Sequence, residues 1–546
     1  MTRQRKSRLP GAAPPRAWRA KVAAGIGGGL LVLNLTGCGG GVGSIAPPAS
    51  GGSGSQPSVT ASDAGRLLEQ STFGPTPALV AHVQKVGISG FLDEQFAAPP
   101  ASYPDPPDYH VQGPVEQQFF VNALTAPDQL RERAAFALSE MFVVSSFKIN
   151  DANALLPYVR MLQKDAFGNY FDLLKDVTLS PTMGRYLDMV NNDKPDAARG
   201  TSPNENYARE IMQLFSIGLQ QLNPDGTPKL DANGVPIPTY DQDTIEGFSS
   251  TFTGWTFPTK PGATLARHNP AYYNGPMEVY ASNHDPGTKQ LLNGLVLPAG
   301  QSPDKDLDDA LHNIVNHPNV GPFIGRQLIQ HLVTSNPSSA YVGRVSAVFA
   351  DNGAGVRGDL QAIIRAILTD PEARRDTPDS PDPNFGHLRE PALYITSLLR
   401  ALNAVSDGVA PRAYSARLGQ EIMHSPSVFN FFPPNYAIPG STLKGPEFGL
   451  QDTANMAIKA NFINALAFGS LGSGTMADLS PLVSAAGDAN ALLDSLTVLL
   501  LHGEMPATMR ATLLPALTAI PDSQPKLRAQ AAFYLVATSS LYQVQH

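Results

Sequence analysis

The chain runs to 546 residues with one cysteine, 39 Lys and Arg against 47 Asp and Glu, and a formal charge of −8. That balance argues against nucleic acid, whose binding rests on cationic side chains neutralising phosphates. A single cysteine excludes an intramolecular disulfide framework, and 49 Pro with 48 Gly point to long, stiff connections around a core held by packing alone.

The first informative segment sits at the N-terminus. Seven basic residues (Arg3, Arg5, Lys6, Arg8, Arg16, Arg19, Lys21) and no acid precede the uncharged, largely apolar run from Val22 to Gly37. This has the layout of a secretory signal, and it falls short of the roughly 20 residues that a membrane-spanning helix needs. Leu35-Thr36-Gly37-Cys38 resembles the bacterial lipobox, in which the cysteine is acylated and becomes the new N-terminus. The expectation is a lipoprotein signal peptide over residues 1–37, with Cys38 as the lipidation site and membrane attachment through that lipid. Gly39 leans toward outer-membrane sorting, on the periplasmic or surface-facing side of the cell envelope. Cleavage before Cys38 would leave 32 basic against 47 acidic residues, a formal −15. Residues 38–59 then form a Gly/Ser/Pro tether of low apolar content.

Order is expected from about residue 60 to 546 as one mainly α, multi-helix body. Ser62 reads as a cap for the amphipathic stretch 63–70, and Thr76-Pro77 as cap and first helical residue, with Gly87 closing that helix. Residues 128–147, 319–334, 339–350 and 359–368 all place apolar side chains at spacings of three and four. Between them, residues 222–240 carry the turn dipeptides Asp225-Gly226 and Asn233-Gly234, which predict a small β-hairpin insert. Asp225, Asp231 and Asn233 lack the spacing of a helix-loop-helix calcium site and read as turn residues. Thr377–Pro383 and Gly469–Gly474 are the candidate internal boundaries.

The polar density peaks in Ser202–Gly218 (SPNENYAREIMQLFSIG). Ser202 reads as a cap, Pro203 as the first helical residue, Glu205 as the completion of a capping box and Gly218 as the stop. Tyr207, Ile211, Leu214 and Phe215 form the expected buried stripe. Two carboxylates, two carboxamides and a guanidinium at one helix start suit either a buried structural network or an acid/base site.

This block and eleven other stretches resemble the bacterial family called domain of unknown function 1800. The others are Leu67–Thr76, Arg133–Glu140, Thr253–Trp255, His284-Asp285, Lys289, His317–Phe323, Thr334–Pro337, Arg357–Leu360, Asp370–Arg374, Ser427–Phe432 and Tyr534–Thr538. The resemblance covers essentially the whole chain after the tether. It implies an exported, mainly helical protein, often encoded beside a sulfatase-like partner, and it implies no established reaction.

The remaining candidates are sparse. His284-Asp285 lies in a turn, His317 at a helix start, and His331 near an apolar stripe as a hydrogen-bonded core residue. No zinc-protease helix, nucleophile elbow or phosphate loop is written in the chain, so neither a metal nor a cofactor is expected. Phe429–Tyr436 (FNFFPPNY) is an aromatic, Pro-rich loop, suited to packing on the core or to stacking on sugars. Two function classes stay open. One is a hydrolase of an envelope or extracellular polymer such as a glycan. Its acid/base candidates are Glu205, Glu210 and Asp285, with Asn204, Asn206, Arg209 and His284 binding substrate. The other is a non-catalytic scaffold lipoprotein working with the sulfatase-like partner.

Overall fold

Helix starts in this chain are set by short polar side chains, and the structure shows which ones serve. It is a computed structural model that describes residues 59–108, 113–374 and 384–545. The expected signal peptide, the expected lipidation site Cys38, most of the expected tether and the candidate boundary at Thr377–Pro383 lie outside the described residues. Thr60, rather than Ser62, caps the first helix (Ala61–Ser71), in a full capping box with Asp63. Thr76 caps Pro77–Ala97 as the sequence predicts. Gly87, at φ +79°, breaks that helix without ending it, since the chain resumes helical turns as far as Ala97. Ser338 and Asp359 cap Ser339–Ala350 and Leu360–Thr369 by the same device.

Among the described residues the architecture is mainly α, with 22 α-helices and eight strands of two residues each. The strands form four antiparallel pairs and no larger sheet. Residues 220–238 form an arm of isolated bridges, Gln220 to Pro238, Leu222 to Pro228 and Leu230 to Pro236. Asp225 Oδ1 accepts from the Thr227 amide, and Asp231 Oδ1 accepts from the amides of Asn233 and Val235. These three residues therefore hold turns, as the sequence suggests.

Two apolar clusters make up the interior. The larger gathers side chains from Ala64 to Leu393 together with Ile422 and Met423, and the second joins Leu124 to side chains between Tyr394 and Tyr542. They meet along Pro391–Ala401, a helix buried over its whole length. Its Ala392 and Leu393 enter the first cluster, and Tyr394, Ile395 and Leu398 enter the second. Strand His387–Leu388 pairs with Val544–Gln545, so the C-terminal end closes beside the start of that helix. Both clusters belong to one unit, residues 57–546. Among the described residues no helix is long and apolar enough to cross a membrane.

Candidate functional site

A cavity of about 510 Å³ lies where four separate parts of the chain meet. Helix Val320–Leu332 supplies one wall through Phe323, Arg326, Gln327, Gln330 and His331, a set at three- and four-residue spacing and hence on one helix face. Gln213, Leu214, Gly218, Leu219, Gln220 and Leu222 supply another, running from the end of helix Asn206–Gln213 into the bridged arm. The loop Val428–Asn435, with Pro446 and Glu447, covers a third side. Glu140 and Met141, the last turn of helix Gln129–Met141, form the floor. Gly218 is required here: its φ is +70°, and a Cβ would lie 2.6 Å from the Phe323 ring.

The floor is charged. Arg133 and Glu140 stand seven residues apart on one helix, two turns along the same face. Glu390 precedes Pro391 at the N-cap of Pro391–Ala401 but makes no capping bond, which leaves its carboxyl for a tertiary partner. That partner is Glu140: the two carboxyls hydrogen-bond to each other. Gln420 Nε2 donates to both, at 3.2 Å to Glu140 and 2.5 Å to Glu390, and Asn430 Nδ2 donates to Glu140 Oε1 at 3.0 Å. Arg133 Nη2 donates to the His331 backbone carbonyl. His331 Nδ1 comes within 3.2 Å of Glu140 Oε2, and His387 Nδ1 within 3.3 Å of Glu447 Oε1, neither with hydrogen-bond geometry.

Burial governs the protonation states. It raises Glu140, and it raises Glu390 well above the usual carboxylate range, with the neighbouring Glu140 charge adding to the effect. Like charges in contact cannot both ionise, so at neutral pH the pair holds one proton. That proton resides on Glu390, whose bond to Glu140 favours the ionised form of Glu140. Burial pulls Arg133 down, opposed by the surrounding carboxyls of Glu390, Glu140, Glu69 and Glu447. Burial also lowers His331, which keeps its imidazole neutral. Several buried atoms here have no hydrogen-bond partner: Glu140 Oε2, Glu447 Oε2, Arg133 Nε and Nη1, Gln327 Nε2 and both ring nitrogens of His387. An unmet buried polar group costs about 1–3 kcal/mol, so a cluster of them marks a site built for something other than stability.

The residues singled out from the sequence fall elsewhere. Helix Asn206–Gln213 begins three residues later than Ser202 and Pro203 suggest, because Asn204 Oδ1 accepts the Asn206 amide and makes the turn. Glu205 is half-exposed and pairs with Arg209 at 2.6 Å, while Gln242 Nε2 donates to its other oxygen at 3.0 Å. Asn206 Nδ2 donates to Asp188. Glu210 is half-buried, is raised by that burial, and has an unpartnered Oε2. It stands one turn before Leu214, on the helix face that leads to the cavity. Asp285 Oδ1 accepts the Gly287 amide in a tight turn, and its own amide donates to Thr253 Oγ1. His284 is buried between Asp306 Oδ2, at 2.9 Å, and the Thr253 carbonyl, and Lys289 joins the same aspartate at 2.7 Å. Asp285 shares no hydrogen bond or ion pair with Glu205 or Glu210 among the described residues.

Four stretches that carried the family resemblance converge on the cavity: Arg133–Glu140, Ser202–Gly218, His317–Phe323 and Ser427–Phe432. The family model described as Protein of unknown function (DUF1800) matches residues 66–544. The chain belongs to this family. No curated protein and no solved structure matches it.

Sequence reasoning missed Glu140, Glu390, Glu447, His331 and His387 as a group because they are spread over more than 300 residues. Two signals were present. Arg133 and Glu140 share a buried face of helix Gln129–Met141, and Glu390-Pro391 opens a helix without a capping side chain.

Proposed function

We propose that this protein is an envelope-anchored hydrolase of an extracellular or envelope glycan, working at the Glu140–Glu390 pair. The observation that carries the reading is Glu140 at the floor of a 510 Å³ cavity, with one oxygen left without a partner and with buried Glu390 behind it sharing one proton. Two carboxyls in contact are closer than the roughly 5 Å or more that separates carboxyls flanking a glycosidic bond. The pair therefore acts as one proton-exchanging unit. It passes its proton through Glu140 to the leaving oxygen as the glycosidic C–O bond breaks, then recovers a proton from the water that adds to the sugar carbon. Glu447, on another side of the same cavity, favours the positive charge that develops on the ring. Phe323, Phe429 and Phe432 offer faces for sugar rings, and Gln213, Gln220 and Asn435 offer amides for hydroxyls.

Export and anchoring belong to the same reading, through the N-terminal signal and a lipid on Cys38 that sorts the protein to the outer membrane. Cys38→Ser should release the body from membranes, and unchanged membrane retention would count against it. The activity is tested by incubating the full chain with purified envelope polysaccharides and peptidoglycan and measuring new reducing ends. Release of fragments supports the hydrolase. A folded protein that releases none, yet is recovered from membranes in a stable complex with a sulfatase-like protein, would support the scaffold instead.

A further inference from the structure

Glu140 and Glu447 both line the cavity, at 6% and 7% exposure, and each has one carboxylate oxygen without a hydrogen-bond partner. The counter-charges nearby do not neutralise them. Arg326 is the single Lys or Arg among the lining residues, and its Nη2 donates to the Gly226 carbonyl at 2.8 Å, at the arm rather than the floor. Arg133 lies behind the floor and offsets one negative charge. The cavity therefore sets two carboxyl side chains with two unmet acceptor atoms against one buried guanidinium, with the His331 and His387 rings at 3.2 and 3.3 Å from them. An ammonium group answers both deficits, since it brings one positive charge and three donors. The rings of Phe323, Phe429 and Phe432 on the adjoining walls favour a cation further. An acetamido group offers one N–H donor and a carbonyl that the carboxylates repel.

We infer that the cavity recognises a primary ammonium group on its substrate, which places the substrate among amino-sugar polymers carrying free amines. This inference rests on the glycan-hydrolase reading above.

The test is calorimetric titration of the full chain with a glucosamine hexamer and with an N-acetylglucosamine hexamer at mildly acidic pH, where the amines are charged. The amine-bearing hexamer should bind about tenfold more tightly, the order expected of one charge-assisted contact. Glu447→Gln should bring the two ligands to parity. Equal binding, or tighter binding of the acetylated hexamer by the unmodified protein, would overturn the inference without relying on any variant to fold. A lysine hexapeptide that binds as tightly as the glucosamine hexamer would overturn the sugar assignment. Product analysis on the same mixtures separates the two claims. Amine-selective binding with no cleavage supports the inference and sinks the hydrolase. Cleavage of both hexamers with no preference for the amine supports the hydrolase and overturns the inference.

Discussion

Replacing Glu390 by Gln should be tolerated, whereas the same change at Glu140 should not. In the folded protein Glu390 is the neutral member of the pair. A glutamine there reproduces both of its bonds: its carbonyl accepts from Gln420 Nε2, now 2.5 Å from Glu390 Oε2, and its amide N–H donates to Glu140 in place of the shared proton. The expected cost at pH 7 is within about 1 kcal/mol. The pH dependence has a definite sign. Because the folded-state value of Glu390 is raised, its contribution to stability is fully present below about 4.5, the unfolded carboxylate value, and is lost as pH climbs through the raised one. Glu390→Gln removes that loss, and so gains on the wild type by about 1.4 kcal/mol for each pH unit climbed between the unfolded and the raised folded value. Glu140→Gln deletes the ionised partner of a fully buried Arg133, a change that costs about 3–5 kcal/mol. Urea unfolding followed by circular dichroism at pH 5, 7 and 9 distinguishes the two variants. Equal losses at pH 7, or a Glu390→Gln variant that fails to gain on wild type as pH rises, would refute the shared proton.

Glu132, buried beside the Tyr103 hydroxyl and Gln163, is pushed up to about 7, mainly by that burial. Wild-type stability should fall as pH rises from about 4.5 through 7, and Glu132→Gln should flatten that fall by about 3 kcal/mol in the same unfolding series. Gly218→Ala places a methyl against the Phe323 ring at a left-handed φ. It should cost about 1–3 kcal/mol, seen as a lowered urea midpoint, and a neutral result would show that Phe323 yields easily. Glu205→Gln breaks an i,i+4 pair whose side chains are 33% and 41% exposed, so thermal melts should register less than about 1 kcal/mol.

The helical body was legible in the sequence because its signals are local. Thr76-Pro77, the stripe of Leu360–Thr369 and the turn dipeptides of the arm each act within a few residues, and all appear where periodicity and capping chemistry place them. Local signals also explain the misplacements. Ser62 and Ser202 are acceptable caps, but Thr60 and Asn204 make the bonds, and adjacent polar residues compete for a role that propensity alone does not settle. The cavity was illegible for a different reason. The attention drawn by Asn204–Glu210 came from density along the chain, whereas Glu140 in Gln129–Met141, Glu390 at the start of Pro391–Ala401 and Glu447 in Pro446–Leu450 are brought together only by tertiary packing. Seams between elements gather such groups without leaving a motif. Phe429 and Phe432, read as a packing or sugar-stacking loop, do line the cavity.

Release of reducing ends from an amino-sugar polymer, compared between full-length Glu140→Gln and Glu205→Gln proteins, tests the placement of the chemistry most directly. Glu140→Gln should lose activity about 100-fold or more, the scale of a removed general acid/base, while Glu205→Gln stays near wild type. A Glu140→Gln protein that is folded and fully active, or a loss confined to Glu205→Gln, would contradict a reaction at the Glu140–Glu390 pair.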